Sequence, residues 1–186
     1  GGVITLVHPR WSTKLGASGS CLDNRAHWFI LQGIPGGDVG FVNIYVPNDS
    51  PTRCLLWETL ARDLPPQSRW ILLGDFNIVE HRADKTRQCP NMIPRRERIL
   101  FEAMKSTLGV EDHPRSTTSL RFSWDNNRPE VARVLARLDR LYLFTPFSGS
   151  VDRILLDHHI RGNTTRLDHH PRLLRKSAAF GRPNRR

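Results

Sequence analysis

An apolar strand pattern runs directly into a polar turn in Trp70-Ile71-Leu72-Leu73-Gly74-Asp75-Phe76-Asn77. Four apolar residues bounded by turn-forming residues are typical of a short buried strand. A buried strand that ends in a carboxylate and a carboxamide carries both groups to the edge of a sheet, where water and a substrate can meet them. The segment therefore predicts a site at a sheet edge that contains Asp75 and Asn77. The alternative interpretation is a strand that ends in ordinary turn-forming residues.

Three further motifs surround this segment in the chain. One precedes it, Asn43-Ile44-Tyr45-Val46-Pro47-Asn48, and two follow it, Arg137-Leu138-Asp139-Arg140 and Leu167-Asp168-His169-His170-Pro171. In order, the four motifs resemble the landmarks "xxYxPN", "GDFN", "RLDxxL" and "SDHxP" of the endonuclease/exonuclease/phosphatase superfamily, which includes the abasic-site endonucleases. The resemblance extends over nearly the whole chain, from Gly1 to about Leu174.

A polar segment with one tryptophan precedes the third motif. Its residues look most like the endonuclease domain of non-LTR (LINE-type) retrotransposon polyproteins: Phe122-Ser123-Trp124-Asp125-Asn126-Asn127-Arg128. This resemblance implies an endonuclease that acts on DNA. We expect Trp124, Asn126 and Arg128 to contact the duplex, because such side chains can enter a groove or contact phosphates. Packing in the core is the other interpretation of Trp124.

The resemblance implies an α/β fold, namely a layered α/β sandwich of two packed mixed β-sheets flanked by helices. The alternation of strand and helix patterns along the chain agrees with this class. The helix patterns begin at Asp49-Ser50-Pro51 and at Pro94, and Pro65 and Gly109 mark their ends. The predicted strands cover residues 3–7, 27–31, 39–46, 70–73, 121–124, 138–144, 151–156 and 171–174.

The two ends of the chain carry separate expectations. The resemblance implies that residues 3–7 are the family's next strand after a first strand bearing an Asn, a helix and a strand bearing a metal-binding Glu. We therefore expect an N-terminally incomplete domain over residues 1–174 that lacks these elements, with nicking activity that is weak or absent. Residues 175–186 contain five basic residues and no acidic one, which predicts a basic tail.

The chain is strongly basic. Its 28 Lys and Arg residues against 18 Asp and Glu residues give a formal net charge of +10 over 186 residues. This charge favours a polyanionic partner through phosphate contacts and counterion release, and the motifs make DNA the expected partner. No segment approaches the length of a transmembrane helix, so no membrane partner is predicted. Three widely spaced cysteines indicate neither a disulfide framework nor a zinc site.

The resemblance also implies a chemical role for each motif. Asp75 is expected to orient and deprotonate a water molecule, while Asn77 bonds to that water or to a non-bridging phosphate oxygen. Tyr45 and Asn48 are expected to contact the phosphate. These residue types suit phosphodiester hydrolysis, which needs an activated water and stabilisation of charge on the phosphoryl and leaving oxygens. For Tyr45, a position at the edge of the core is the alternative.

The fourth motif is expected to supply the histidine of the site. His169 would stabilise the pentacovalent phosphorane, and Asp139 would fix its tautomer by accepting from the other ring nitrogen. A second candidate is His158, because Leu156-Asp157-His158-His159 repeats the same pattern, but Pro171 and the strand pattern after it favour His169. For Asp139 the alternative is a surface ion pair with a neighbouring arginine.

The resemblance implies a divalent metal, Mg²⁺ or Mn²⁺, beside Asp168. Leu167 stands where the family has Ser, which removes one hydroxyl near that carboxylate. With the family's Glu outside this chain, we expect the ion to be weakly bound, if at all, because Mg²⁺ requires oxygen-rich ligation. Glu80 and Asp84 are interpreted as solvated loop residues rather than as replacement ligands.

Two function classes follow from these features. The first is a divalent-metal-dependent DNA endonuclease of a retrotransposon-derived protein, and the second is a catalytically inactive remnant that acts at most as a basic nucleic-acid-binding module. A phosphatase acting on small phosphoesters is a third option, against which the basic charge and the Trp124 segment argue. The expected protein is a nuclear, intracellular monomer, and the reverse transcriptase region of the same polyprotein is a possible partner.

Overall fold

The computed structural model describes residues 3–66, 68–86, 93–112, 122–148, 154–158 and 172–176. Its strands are β1 (Leu15–Cys21), β2 (Ala26–Leu31), β3 (Val39–Tyr45), β4 (Arg69–Asp75), β5 (Val110–Asp112), β6 (Trp124–Asp125), β7 (Leu135–Ala136), β8 (Asp139–Phe144), β9 (Ile154–His158) and β10 (Arg172–Lys176). Its helices are α1 (Ser50–Asp63), α2 (Arg95–Leu108) and the short α3 (Thr145–Ser148).

The main sheet has six strands in the order β1-β2-β3-β4-β8-β5. β3 and β4 are parallel and are connected through α1, whereas the other neighbouring strands are antiparallel. Two smaller sheets pair β6 with β7 and β9 with β10. These mixed and antiparallel sheets with their helices confirm the predicted α/β class. Because β3 and β4 are parallel, their carboxyl ends lie at one edge of the main sheet, and β8 begins at the same edge.

Both long helices occur where the sequence predicts them, and local capping explains their bounds. Asp49 caps α1 by accepting a hydrogen bond from the backbone nitrogen of Thr52 at 2.9 Å, and Pro51 occupies the first turn. α2 ends at Gly109, which adopts a left-handed conformation with φ of 62°. No helix in the described part of the chain has the length and apolar character needed to span a membrane.

The core lies between the main sheet and the two long helices. Four large rings contact one another there: Trp57 of α1, Phe101 of α2, Tyr142 of β8 and Phe76, which directly follows β4. The ring centroids of Trp57 and Phe101 are 4.8 Å apart, as are those of Phe76 and Tyr142. Burial of such rings is a large source of stability. Phe76 therefore anchors the turn after β4 in the core.

The opposite face of the sheet is also buried at its centre. Leu141 and Leu143 of β8 are almost completely buried there, together with the half-buried Ile71 and Leu73 of β4. A strand with apolar residues on both faces is typical of a sheet that is covered on both sides. This burial agrees with the layered architecture predicted for the chain.

The prediction of a strand at residues 3–7 is wrong. This segment forms no ladder with a described strand: Val3 donates one backbone bond to Asn24 at 3.3 Å, and the side chain of Asn43 donates to the carbonyl of Ile4 at 2.9 Å. The outermost strand on this side of the sheet is instead β1, which the sequence analysis did not predict. Glycine and serine have low strand propensity, so the residues of β1 carry no strand signal of their own.

The remaining predicted strands are present with shifted bounds. The segment predicted at 121–124 pairs as Trp124–Asp125, and the short β5 and β7 were not predicted. β10 includes Arg175 and Lys176, which are the first residues of the predicted tail, and the rest of that tail lies outside the described residues. Pairing with neighbours, rather than local pattern, sets such short strands.

Candidate active site

The turn after β4 is held in a defined geometry by its own polar groups. One carboxylate oxygen of Asp75 accepts a hydrogen bond from the backbone nitrogen of Asn77 at 2.9 Å, and Asn77 adopts a left-handed φ of 48°. The side-chain nitrogen of Asn77 donates to the carbonyl of Val46 at 2.7 Å. The turn is therefore tied to the end of β3, and both predicted site residues are fixed relative to it.

Gly74 is the residue that permits this turn. Its φ of 133° lies in a region that residues with a side chain rarely adopt. A Cβ atom at this position would also overlap with the carbonyl oxygen of Ile44 on the neighbouring strand. The close approach of β3 and β4 at the site therefore requires glycine.

We expect Gly74→Ala to destabilise the protein by at least about 1–3 kcal/mol, the usual cost of a strained backbone conformation. Urea unfolding measures the change in free energy. The matched control is Gly33→Ala, because Gly33 also has a positive φ, of 63°, but its missing Cβ points into open space near the end of Lys14. Equal losses for the two variants would contradict the overlap at Ile44.

Three of the predicted site residues lie side by side at this edge. Tyr45 is paired with Asp75 across β3 and β4, and Asp75 is paired with Asp139 across β4 and β8. Asp75 and Asp139 are half-buried, and Tyr45 is 38% exposed. Carboxylates directly opposite each other destabilise a sheet unless other groups compensate their charge. The register of the three strands thus brings three predicted site residues together in one row of Tyr45, Asp75 and Asp139.

The ends of the row have further contacts. The guanidinium of Arg25 lies 5.3 Å from the ring centre of Tyr45, in the arrangement of a cation–π interaction. Asn48 is exposed three residues beyond Tyr45, and its carbonyl accepts a hydrogen bond from Arg53 at 2.6 Å. Asn48 thus lies at the edge that contains the row, on the loop that leads into α1.

Asp139 is positioned by a serine that sequence reasoning did not assign to the site. The hydroxyl of Ser123 accepts hydrogen bonds from the backbone nitrogens of Leu138, at 3.1 Å, and Asp139, at 2.9 Å. Ser123 is fully buried, so these bonds are shielded from water. The residue occurs in the segment that resembles retrotransposon endonucleases, but nothing in its sequence context indicates this contact.

The segment after Ser123 forms a folded loop beside Asp139. Asn126 stabilises it from inside: its carbonyl oxygen accepts from the backbone nitrogens of Arg128, at 3.3 Å, and Val134, at 2.9 Å, while its nitrogen donates to Ala132 at 2.9 Å. Trp124 is half-buried in β6, and Arg128 is exposed. Of the three predicted DNA contacts, Arg128 is thus the most accessible, and Asn126 holds the loop.

A network of buried charges lies behind the row. The guanidinium of Arg140, directly after Asp139, contacts Asp84 at 3.0 Å, Glu80 at 3.1 Å and Asp112 at 3.2 Å. Asp84 is 1% exposed, and the side chain of Glu80 is 8% exposed. The interpretation of Glu80 and Asp84 as solvated loop residues is therefore wrong. Their carboxylates are buried because Arg140 and its neighbours compensate them.

Two further cations and a phenol complete the network. Arg137 forms two hydrogen bonds with the carboxylate of Asp112, at 2.6 and 2.7 Å, and Lys105 contacts Glu80 at 3.1 Å. The hydroxyl of Tyr142 donates to Glu80. Burial raises the pKa of Tyr142 well above its ordinary value, so this group stays protonated.

The charge state of Arg140 follows from the same contacts. Burial lowers its pKa, but the carboxylates of Glu80, Asp84 and Asp112 around it raise that pKa above the ordinary value overall. Arg140 is therefore charged at neutral pH. The network links the loop of residues 78–86 to β8 and so supports the backbone on which Asp139 lies.

The predicted metal and histidine residues are outside the part that the structure describes. Asp168 and His169 both lie outside the described residues. His158 is the last residue of β9, and its side chain is not described. Asp75 and Asp139 carry the oxygen donors that a hard divalent cation prefers. Within the described ranges, no three residues of the types His, Cys, Asp and Glu converge as a metal site would require.

The architecture matches solved nucleases. The chain is similar to the endonuclease domain of TRAS1, a telomere-specific non-LTR retrotransposon, with a TM-score of 0.54 and 14% identity over 82% of this chain and 64% of that chain. It is also similar to the 3'-5' exonuclease NExo from Neisseria meningitidis, with a TM-score of 0.58 and 21% identity over 83% and 65% of the two chains. The chain has the endonuclease/exonuclease/phosphatase fold. This fold confirms the class predicted from the four motifs.

A third structure with the endonuclease/exonuclease/phosphatase fold extends the comparison. It is an AP endonuclease from Archaeoglobus fulgidus, with a TM-score of 0.58 and 17% identity over 87% of this chain and 71% of that chain. The chain spans just under two-thirds of the length of the TRAS1 domain and of NExo. No protein-family model and no curated protein sequence matches the chain.

Proposed function

We propose that this chain hydrolyses phosphodiester bonds in DNA, as the endonuclease of a retrotransposon-derived protein. The observation that supports this best is the row of Tyr45, Asp75 and Asp139 at one sheet edge. It brings an activating carboxylate, a second carboxylate and a phenol together from three strands that are far apart in the chain. A site for an attacking water and a phosphate needs this kind of convergence.

Asp75 is the proposed general base. Its carboxylate is held by the backbone nitrogen of Asn77, which fixes the direction in which it can accept a proton. Asn77 donates one N–H of its carboxamide to Val46, and the remaining N–H and the carboxamide oxygen are the groups proposed to bond to a phosphate oxygen or to the water. A positioned base of this kind contributes roughly 10²–10⁴-fold to a hydrolysis rate.

The remaining roles extend to residues outside the described part. We propose that Asp139 orients His169, which stabilises the phosphorane, and that Tyr45 and Asn48 contact the phosphate. Asp168 would hold a divalent metal, Mg²⁺ or Mn²⁺, directly or through water. When bound, such an ion supplies charge stabilisation on the phosphoryl oxygens.

DNA is the proposed partner. NExo has been solved in a structure bound to a product DNA hairpin, and this observation concerns NExo itself. For this chain, the support is its net charge of +10 and the folded loop beside Asp139, from which Arg128 and Trp124 would contact the duplex. We also propose a nuclear location and the reverse transcriptase region of the same polyprotein as a partner.

A second candidate function is binding of nucleic acid without catalysis. The basic charge favours this function as much as it favours the endonuclease, because counterion release requires cationic side chains and no catalytic residues. The two candidates therefore differ only in hydrolysis.

The experiment is a nicking assay on supercoiled plasmid in Mg²⁺ or Mn²⁺, with the protein in excess so that slow turnover is detected. We expect slow conversion to the open-circular form, in line with the weak activity expected from the sequence, and we expect a chelator to prevent it. Plasmid that is retarded on a gel but never nicked would contradict the catalytic proposal and support the binding module.

A further inference from the structure

Three exposed arginines occupy the first turn of α2. Arg95, Arg96 and Arg98 are all solvent-exposed, and none of them forms an ion pair with a described residue. They are called the α2 arginine cluster below. Arg95 and Arg98, three residues apart, are neighbours on the helix surface, and Arg96 lies about 100° around the helix axis from Arg95.

The only acidic residue within this turn does not compensate the cluster. Glu97 is completely buried, and its carboxylate accepts hydrogen bonds from Arg53 at 2.6 and 2.9 Å and from the hydroxyl of Ser50 at 2.7 Å. Its charge is therefore directed inwards and matched by Arg53. The exposed side of the turn carries three positive charges, to which the helix N-terminus adds a positive dipole.

The α2 arginine cluster lies at the edge of the molecule that contains the candidate active site. α1 begins at this edge, because it follows the carboxyl end of β3 after a short loop. The first turn of α2 is attached to the first turn of α1 through the contacts of Glu97 with Ser50 and Arg53. Arg53 also donates to the carbonyl of Asn48 at 2.6 Å. The guanidinium of Arg53 thus connects the loop that contains Asn48 to the turn that carries the cluster.

We propose that the α2 arginine cluster binds backbone phosphates of duplex DNA that flank the scissile bond, on the side of the site where α1 and α2 begin. The inference rests on the proposed function for the position of the scissile bond. Guanidinium groups match phosphate geometry better than other cations do. Phosphates of one strand follow each other every ~3.4 Å along the duplex axis, so a single helix turn of about 5.4 Å can face about two of them.

The experiment measures the affinity for a short blunt duplex by fluorescence anisotropy as the salt concentration rises from about 50 to 200 mM. The test variant combines Arg95→Ala, Arg96→Ala and Arg98→Ala. The matched control combines Arg10→Ala, Lys14→Ala and Arg62→Ala, which removes the same charge from the opposite edge, where β1 and β3 begin and α1 ends. Circular dichroism and urea unfolding verify that both variants are folded.

Each phosphate contact that is lost should make the slope of log K against log salt shallower by about 0.9. We expect the test variant to lose at least one contact, and a loss of about 2.7 if all three arginines bind phosphates. The control should keep the wild-type slope. A change of less than about 0.9 in the test variant, or an equal change in both variants, would overturn the proposal.

This result is separable from the proposed catalysis. Nicking and the salt slope are separate measurements on the same chain, and the test variant leaves Asp75 and Asp139 unchanged. One outcome is that the wild-type chain never nicks plasmid while the test variant still shows a shallower slope of log K against log salt. In that case the catalytic proposal is wrong and the proposed DNA-binding surface is supported. If nicking is confirmed and the slope does not change, the surface alone is wrong.

Discussion

Asp75→Asn is expected to lower the rate of plasmid nicking by about 10²–10⁴-fold, the usual contribution of a positioned general base. The substitution keeps the size of the side chain and one oxygen that can accept the hydrogen bond from Asn77. It removes the ability to take a proton at neutral pH. We therefore expect the loss to be in the rate of hydrolysis, while the affinity for duplex DNA and the free energy of unfolding stay close to wild-type values. Single-turnover nicking with excess protein measures the rate.

Asp38→Asn is the matched control for this experiment. Asp38 also accepts a hydrogen bond from a backbone nitrogen, that of Gly33 at 3.2 Å, but it precedes β3 and so lies at the opposite edge of the sheet. Its substitution should leave nicking unchanged. Equal rates for Asp75→Asn and the wild type would show that the row does not contain the base, and the proposed role of Asp75 would have to be abandoned.

Arg140→Met is expected to destabilise the protein by about 3–5 kcal/mol, the cost of removing one partner from a buried ion pair. Methionine keeps much of the length of the side chain, but buried Asp84 would lose its nearest cation, and Glu80 would keep only Lys105. Domains of this size have a total stability of about 5–15 kcal/mol, so the change would remove much of it. Urea unfolding followed by circular dichroism measures the loss.

Two further variants test the reason for this loss. Arg62→Met disrupts the pair of Arg62 with Asp63, which lies on the surface, and should leave the stability essentially unchanged. Adding Asp84→Asn and Glu80→Gln to Arg140→Met should restore part of the stability, because both substitutions remove uncompensated charge. A double charge removal that destabilises the protein further would show that packing, and not charge, explains the effect.

Local sequence accounts for much of the fold. The segment from Trp70 to Asn77 predicts a buried strand and a polar turn, and both are present, with Phe76 as an additional anchor in the core. Asp49 and Gly109 predict the ends of the two long helices, because caps act through bonds and dihedral angles within a few residues. Signals of this kind need no information about distant parts of the chain.

The site is predictable from the sequence only in part. The motifs name Tyr45, Asp75 and Asp139 as candidates through a resemblance, but their alignment in one row depends on strand order and register. Ser123 was missed as a positioning residue for the same reason, since its contact with Asp139 joins segments that only the folded chain brings together. The roles of Asp168 and His169 stay predictions.

The clearest division between local and tertiary information is at charged residues. The sequence alone determines the turn at Gly74, the helix caps and the net charge, because these depend on neighbouring residues or on composition. Only the tertiary structure decides that Glu80 and Asp84 are buried and that Arg95 is exposed. A carboxylate can leave water only where a cation from elsewhere in the chain meets it, and here that cation is Arg140, which is more than fifty residues away in sequence.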